Sequence, residues 1–262
     1  MHLCNMDTNW SFLLQESYSL RCRRRKHALH TLPLDPRIVP YLRQAGLYGA
    51  CLVGYFQLDW PLITALIERW RPKTHTFHLP TGEASITLQD VEILLGLPVD
   101  GRAVTGSTSR EWEVLCAEML GIVPEAGTLK GSRLKMSWLT ENFPMPPEEA
   151  EEIVLVRYAR AYILQLFGGC LFADKSGSHV HLMFLQLLGD FAEAGTYSWG
   201  SASLAWLYRN MCNVAGSEAK EIAGPLILLQ LWALDRLPTL ARKNIDPYPP
   251  TYGPMEGPLG LR

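Results

Sequence analysis

The sequence predicts a mainly α protein: a single multi-helix domain with one small β-hairpin. Three observations carry this. Apolar residues recur at helical spacing in one segment after another, as in Leu62, Ile63, Leu66, Ile67 and Trp70. Capping residues, prolines and glycines mark where these segments start and stop. Strands and helices do not alternate along the chain, which argues against the nucleotide-binding α/β folds. With 262 residues, 48% apolar and 19% charged, the chain is long and apolar enough to bury a sizeable core.

The elements follow in order. Residues 1–32 hold no sustained period and read as a flexible basic tail. Asp35 caps a helix with Pro36 at its first position, running to about Ala45 and closing at Gly46. Asp59-Trp60-Pro61 opens a second helix, and Arg71-Pro72 ends it. Residues 74–79 and 84–87 flank Pro80-Thr81-Gly82-Glu83 and form the hairpin. Thr87 caps the next helix with Asp90 as its capping-box partner; Leu88, Val91, Leu94 and Leu95 make its apolar face. Thr108 and Glu111 form a second capping box, ahead of a helix carrying Trp112, Leu115, Cys116 and Met119. A short helix covers about 132–142. Beyond Pro144-Met145-Pro146-Pro147, a long helix opens on Glu148, Glu149, Glu151 and Glu152, which suit the positive end of its dipole, and stops at Gly168-Gly169. Three further helices cover about 179–194, 201–212 and 221–236. Residues 246–262 are a Pro/Gly-rich irregular segment, whose abrupt end reads as that of a piece of a longer protein.

Charge is unevenly distributed. Arg21, Arg23, Arg24, Arg25 and Lys26 place five positive groups within six positions; without them, 19 basic residues face 26 acidic ones. The body is therefore mildly acidic and lacks a broad nucleic-acid footprint. The basic run suits an acidic import receptor or phosphates, which makes it the candidate nuclear localisation signal. The six cysteines are scattered without metal-like pairing and read as free thiols of a reducing compartment. The longest apolar runs, 161–173 and 225–234, are too short for a bilayer, so the reading is of a soluble intracellular protein with no membrane contact.

Catalytic and cofactor motifs are missing. There is no G-x-x-x-x-G-K-[ST], G-x-G-x-x-G, H-E-x-x-H or G-x-S-x-G. His75 and His78 would face opposite sides of a strand, and His179 and His181 would diverge on a helix. No catalytic residue, metal or cofactor is expected. One enzyme reading stays open: a pocket holding Asp174, Lys175 and His181. Trp112, Trp138, Trp206 and Trp232 read as core. Trp199, in the loop Tyr197-Ser198-Trp199-Gly200, either packs or binds.

Several motifs resemble the plant mobile domain family. They are Phe77-His78-Leu79-Pro80 with Gly82-Glu83, Ile86-Thr87-Leu88-x-Asp90-Val91, and Leu94-Leu95-Gly96-Leu97-Pro98-Val99-Asp100-Gly101. Phe172-Ala173-Asp174-Lys175-Ser176-Gly177, Tyr197-Ser198-Trp199-Gly200-Ser201, Leu204-Ala205-Trp206-Leu207-Tyr208 and Gly224-Pro225-Leu226 follow in the family's order. The resemblance implies a domain over residues 33–245. The family is also labelled aminotransferase-like, yet this chain has no Schiff-base lysine frame and no large α/β domain. Its members resemble transposon-derived nuclear factors that act in transposable-element silencing, gene expression and meristem maintenance with a plant serine/threonine phosphatase of the PPP type. The implied function is a non-enzymatic nuclear protein-interaction domain. The alternative is a transposon-encoded accessory domain with weak nucleic-acid binding. Candidate interaction residues are Thr81 and Glu83 at the hairpin tip, Asp174 and Lys175 in the loop from Asp174 to Ser178, and Tyr197 and Trp199 in their turn.

Overall fold

Asp35 opens the first helical segment. Its carboxylate accepts the Arg37 N–H at 2.8 Å, and Pro36 takes the first position. The computed structural model describes residues 34–53, 57–216 and 221–237. Arg21, Arg23, Arg24, Arg25, Lys26 and residues 246–262 lie outside them. A 3₁₀ turn, Pro36–Ile38, runs into α1 (Val39–Gln44) and is followed by α2 (Tyr48–Leu52). Asp59 caps α3 (Trp60–Arg69) through the Leu62 N–H at 3.0 Å, and the expected stripe from Leu62 to Trp70 is buried.

The hairpin is larger than expected. Trp70 leaves α3 with extended backbone, so the helix ends before Arg71-Pro72 and β1 (Trp70–Arg71) begins. β1 pairs antiparallel with β2 (Thr76–Leu79), which pairs with β3 (Gly82–Ala84). Leu79 opposes Gly82, so the turn is Pro80-Thr81 alone. Phe77 sets the register: it is fully buried against Trp70 and Trp232, with ring centroids 4.9 and 5.0 Å away.

α4 (Leu88–Leu95) carries the complete Thr87–Asp90 capping box. Leu88 is exposed rather than buried; the inward positions are Asp90, Val91 and Leu95. Asp90 turns inward because it meets Arg236 at 2.5 Å. α5 (Trp112–Leu120) starts at Glu111, whose side chain makes no capping bond. Thr108 does not cap it: Ser107 turns the chain there by accepting the Ser109 N–H.

A second sheet departs from the single-hairpin expectation. β4 (Leu129–Lys130), β5 (Arg133–Lys135) and β6 (His179–His181) form an antiparallel sheet in that order. Residues 133–135 are thus strand, and only α6 (Met136–Asn142) of the expected short helix is helical. The expected helix 179–194 is replaced by β6, a 3₁₀ helix (Leu182–Leu188) and α8 (Phe191–Ala194). The alternation His179-Val180-His181 buries Val180 alone, which is a strand's pattern.

α7 (Glu152–Leu166) begins after Glu148 and Glu149, so only Glu152 lies in its first turn. At Gly168-Gly169 it does not stop but widens into a π turn, Phe167–Leu171. The segment Glu152–Leu171 is, by length and composition, apolar enough to cross a bilayer. Here it packs against α1, α5, α6 and the 3₁₀ helix, with half of its apolar window buried. α9 (Trp199–Val214) and α10 (Leu226–Arg236) complete the fold and pack on α4. The buried Gln230 amide ties α10 to the start of α3, accepting the Asp59 N–H at 2.8 Å and donating to the Gln57 carbonyl at 3.1 Å.

Arg160 sits buried on α7. It donates to the carbonyls of Met119 (3.0 Å), Leu188 (2.9 Å) and Gly189 (2.9 Å), at the ends of α5 and the 3₁₀ helix. Burial, and then neighbouring Arg157, pull its pKa below the usual arginine range. Arg160→Met keeps the apolar stem and removes the donors. It is expected to cost about 3 kcal/mol, read as a lower urea midpoint with an unchanged slope, because three carbonyls, that of buried Leu188 among them, lose their donors together.

Candidate interaction surface

The chemistry of the surface concentrates on the outward face of the second sheet. Leu134 and Val180 point inward and are buried. Strand alternation then turns Arg133, Lys135, His179 and His181 outward. The register places Lys130 opposite Arg133, Arg133 opposite His181, and Lys135 opposite His179. Among the described residues, the side chains of Lys130 and Lys135 have neither a hydrogen bond nor an ion pair.

A loop borders this face. Asp174 folds it, accepting the Ser176 hydroxyl at 2.6 Å and the Gly177 N–H at 2.9 Å. Its other oxygen lies 3.4 Å from Arg133. The Ala173 carbonyl accepts the Trp206 indole N–H, and the Ser178 carbonyl accepts the Met136 N–H, so both loop ends are anchored. Lys175 stands exposed between them.

The two histidines are structural. His181 Nδ1 accepts the Met183 N–H at 3.1 Å, so Nε2 carries the proton and donates to Ser132 Oγ at 2.9 Å. Burial, then Arg133, lowers its pKa. Burial also lowers that of His179, with Lys130, Lys135 and Arg133 adding to the effect and Asp174 opposing it. Both rings are therefore neutral at neutral pH. No hydrogen bond joins Asp174, Lys175 and His181, and both His181 nitrogens are occupied, so the arrangement of an acid–base site is missing.

Thr81 and Glu83 stand exposed on the first sheet. Glu83 pairs with His78 at 3.0 Å and accepts the Thr76 hydroxyl at 2.9 Å. Tyr197 and Trp199 do not form an exposed surface. Trp199 is fully buried, donates its indole N–H to the Ala194 carbonyl at 2.9 Å and packs on Phe167. Tyr197 is buried under the Arg102 guanidinium, 4.9 Å from its ring centroid.

These residues belong to a clasp. The Ser198 N–H and hydroxyl both donate to the Arg102 carbonyl, Gly200 N–H donates to Pro98, and the Ser201 hydroxyl donates to Val99. Arg102 N–H in turn donates to Thr196. Gly101 adopts φ +120°, and a Cβ there would stand 2.2 Å from the Thr196 oxygen. The motifs Leu97-Pro98-Val99-Asp100-Gly101 and Tyr197-Ser198-Trp199-Gly200-Ser201 are thus two halves of one structural joint.

The remaining reactive groups are quiet. Burial pushes the Cys51 and Cys116 thiols up to about 12. Among the described residues, no group of three or more His, Cys, Asp or Glu side chains could hold a metal ion. Sequence reasoning missed the grouping of Lys130, Arg133, Lys135 and His179. The signal was there in Leu129-Lys130-Gly131-Ser132-Arg133-Leu134-Lys135, two alternating runs around a Gly-Ser turn.

The fold defines a helical domain built around two small sheets, with exposed cationic groups gathered on one sheet face. The chain belongs to the plant mobile domain family, whose match covers residues 46–259. It is 48% identical over 248 residues to an Arabidopsis thaliana protein named serine/threonine-protein phosphatase 7 long form homolog, covering 93% of this chain and 18% of that protein. It is 39% identical to MAIN-LIKE 2 (95% of this chain, 38% of the relative) and to MAINTENANCE OF MERISTEMS (88% and 48%), both from the same plant. The chain thus spans less than half the length of each of these relatives. No solved structure matches it.

Two outcomes test this geometry. Gly101→Ala is expected to cost about 3 kcal/mol in urea unfolding, since it strains both the backbone and the clasp. The unfolded chain takes up protons on His179 and His181 before the folded chain does, so stability falls as pH drops from about 6.5. In His181→Asn, whose amide oxygen still accepts from Met183, the unfolding midpoint is expected to fall less steeply between about pH 7 and about pH 5.

Proposed function

We propose that the chain is a non-enzymatic nuclear protein-interaction domain, working in transposable-element silencing, gene expression and meristem maintenance with a serine/threonine phosphatase partner. One observation carries the interaction reading. The residues with chemical potential, namely Asp174, His181, Tyr197 and Trp199, are tied into the scaffold, whereas Lys130, Lys135 and Lys175 project without an ion pair among the described residues. The relative named as a phosphatase homolog supports the partner class, and the relative named for meristem maintenance supports the process. Arg21, Arg23, Arg24, Arg25 and Lys26 support nuclear import. The second reading, a transposon-encoded nucleic-acid-binding accessory domain, draws on the same cationic sheet face.

The test is affinity capture by the tagged full chain from nuclease-treated plant nuclear extract. Recovery of a serine/threonine phosphatase is expected. Glu83→Ala and Lys175→Ala are expected to weaken capture while leaving the melting temperature almost unchanged, because surface pairs contribute little stability. Retention of nothing except nuclease-sensitive chromatin proteins would favour the second reading.

A further inference from the structure

The cationic face of the second sheet carries more than a general stickiness. Lys130 and Arg133 are like charges placed directly opposite each other on adjacent strands, an arrangement that costs free energy in the free chain. Arg133 and Lys135 are alternate residues of β5, so their side chains leave the same face about 7 Å apart. Asp174, 3.4 Å from Arg133, is the carboxylate paired with that arginine. Burial lowers the His179 pKa, and these cations add to that shift while Asp174 opposes it. Lys175 extends the positive field from the bordering loop.

We propose that this face binds an extended acidic peptide segment of a partner protein, with carboxylates at alternate positions over Arg133 and Lys135 and with Lys130 flanking the first of them. The spacing carries the choice. Side chains on one face of an extended peptide also repeat about every 7 Å, so alternate acidic residues meet Arg133 and Lys135 in register. An anionic partner also relieves the repulsion between Lys130 and Arg133. A nucleic-acid strand suits the face less well. Trp112, whose ring lies beside His181, is buried and offers no stacking platform.

The inference rests on the interaction-domain reading and adds the surface and its chemistry. Its test uses the purified full chain and a synthetic probe, so it fails separately from capture in extract. The probe is a fluorescein-labelled peptide of alternating Glu and Thr, read by fluorescence anisotropy at low salt. The comparators are a peptide of the same composition with its glutamates in one block, and a single-stranded oligo-dT. Preferential binding of the alternating peptide is expected. Lys130→Gln with Lys135→Gln should weaken it about tenfold, since each exposed pair contributes modestly. Arg71→Gln, an exposed arginine of the first sheet, should leave it unchanged. If the double variant does not fold, Lys135→Gln alone is expected to weaken binding about threefold. Equal binding of the block peptide, tighter binding of oligo-dT, or undiminished binding by the lysine variants would overturn the proposal.

Discussion

A buried positive charge, paired with no carboxylate among the described residues, organises one half of this fold. Arg160 leaves α7 and finds three backbone carbonyls at the ends of α5 and the 3₁₀ helix. Those carbonyls are the orphan acceptors of helix termini, where the negative end of the dipole also favours a cation. One side chain therefore satisfies three groups and fixes α7 against two neighbours. Arg37 does the same at the domain's start, donating to the carbonyls of Pro146, Pro147 and Glu148 and so holding the proline break beside the first helical turn. The remaining half is joined through aromatic rings and through Asp90, which serves the α4 cap and the Arg236 pair with the same carboxylate.

The joint between Pro98–Arg102 and Thr196–Ser201 changes how the recurring motifs are understood. A tryptophan in a glycine-flanked loop resembles a binding group when read in sequence. In space it is core, and the hydroxyls and glycines around it close hydrogen bonds to a segment nearly a hundred residues away. Motif density in this chain therefore marks the scaffold. Lys130, Arg133 and Lys135 lie between the motifs, on strands too short to announce themselves.

Much of the fold was readable where a single local interaction decides it. Asp35, Asp59 and Thr87 cap the helices expected of them, because a side-chain oxygen three positions or fewer from an orphan N–H acts without help from the rest of the chain. The reading failed where distant partners decide. Trp70 becomes a strand because Thr76–Leu79 pairs with it, and His179–His181 becomes a strand because Arg133–Lys135 lies alongside. Two- and three-residue strands carry too little periodicity to reveal either pairing. The candidate surface was half readable for the same reason: Asp174 and Lys175 stood out in a loop, whereas the cations beside them are assembled only by the sheet.

The resulting picture is a helical scaffold with a clasp of shared motifs and an exposed cationic sheet face. Hydrogen–deuterium exchange on the full chain, free and in the complex recovered from nuclear extract, tests it most directly. Residues 98–102 and 196–201 are expected to be protected already in the free chain and to change little. Slower exchange on binding is expected over 129–135 and 174–181. New protection confined to the clasp, with the second sheet unaffected, would contradict this division between scaffold and surface.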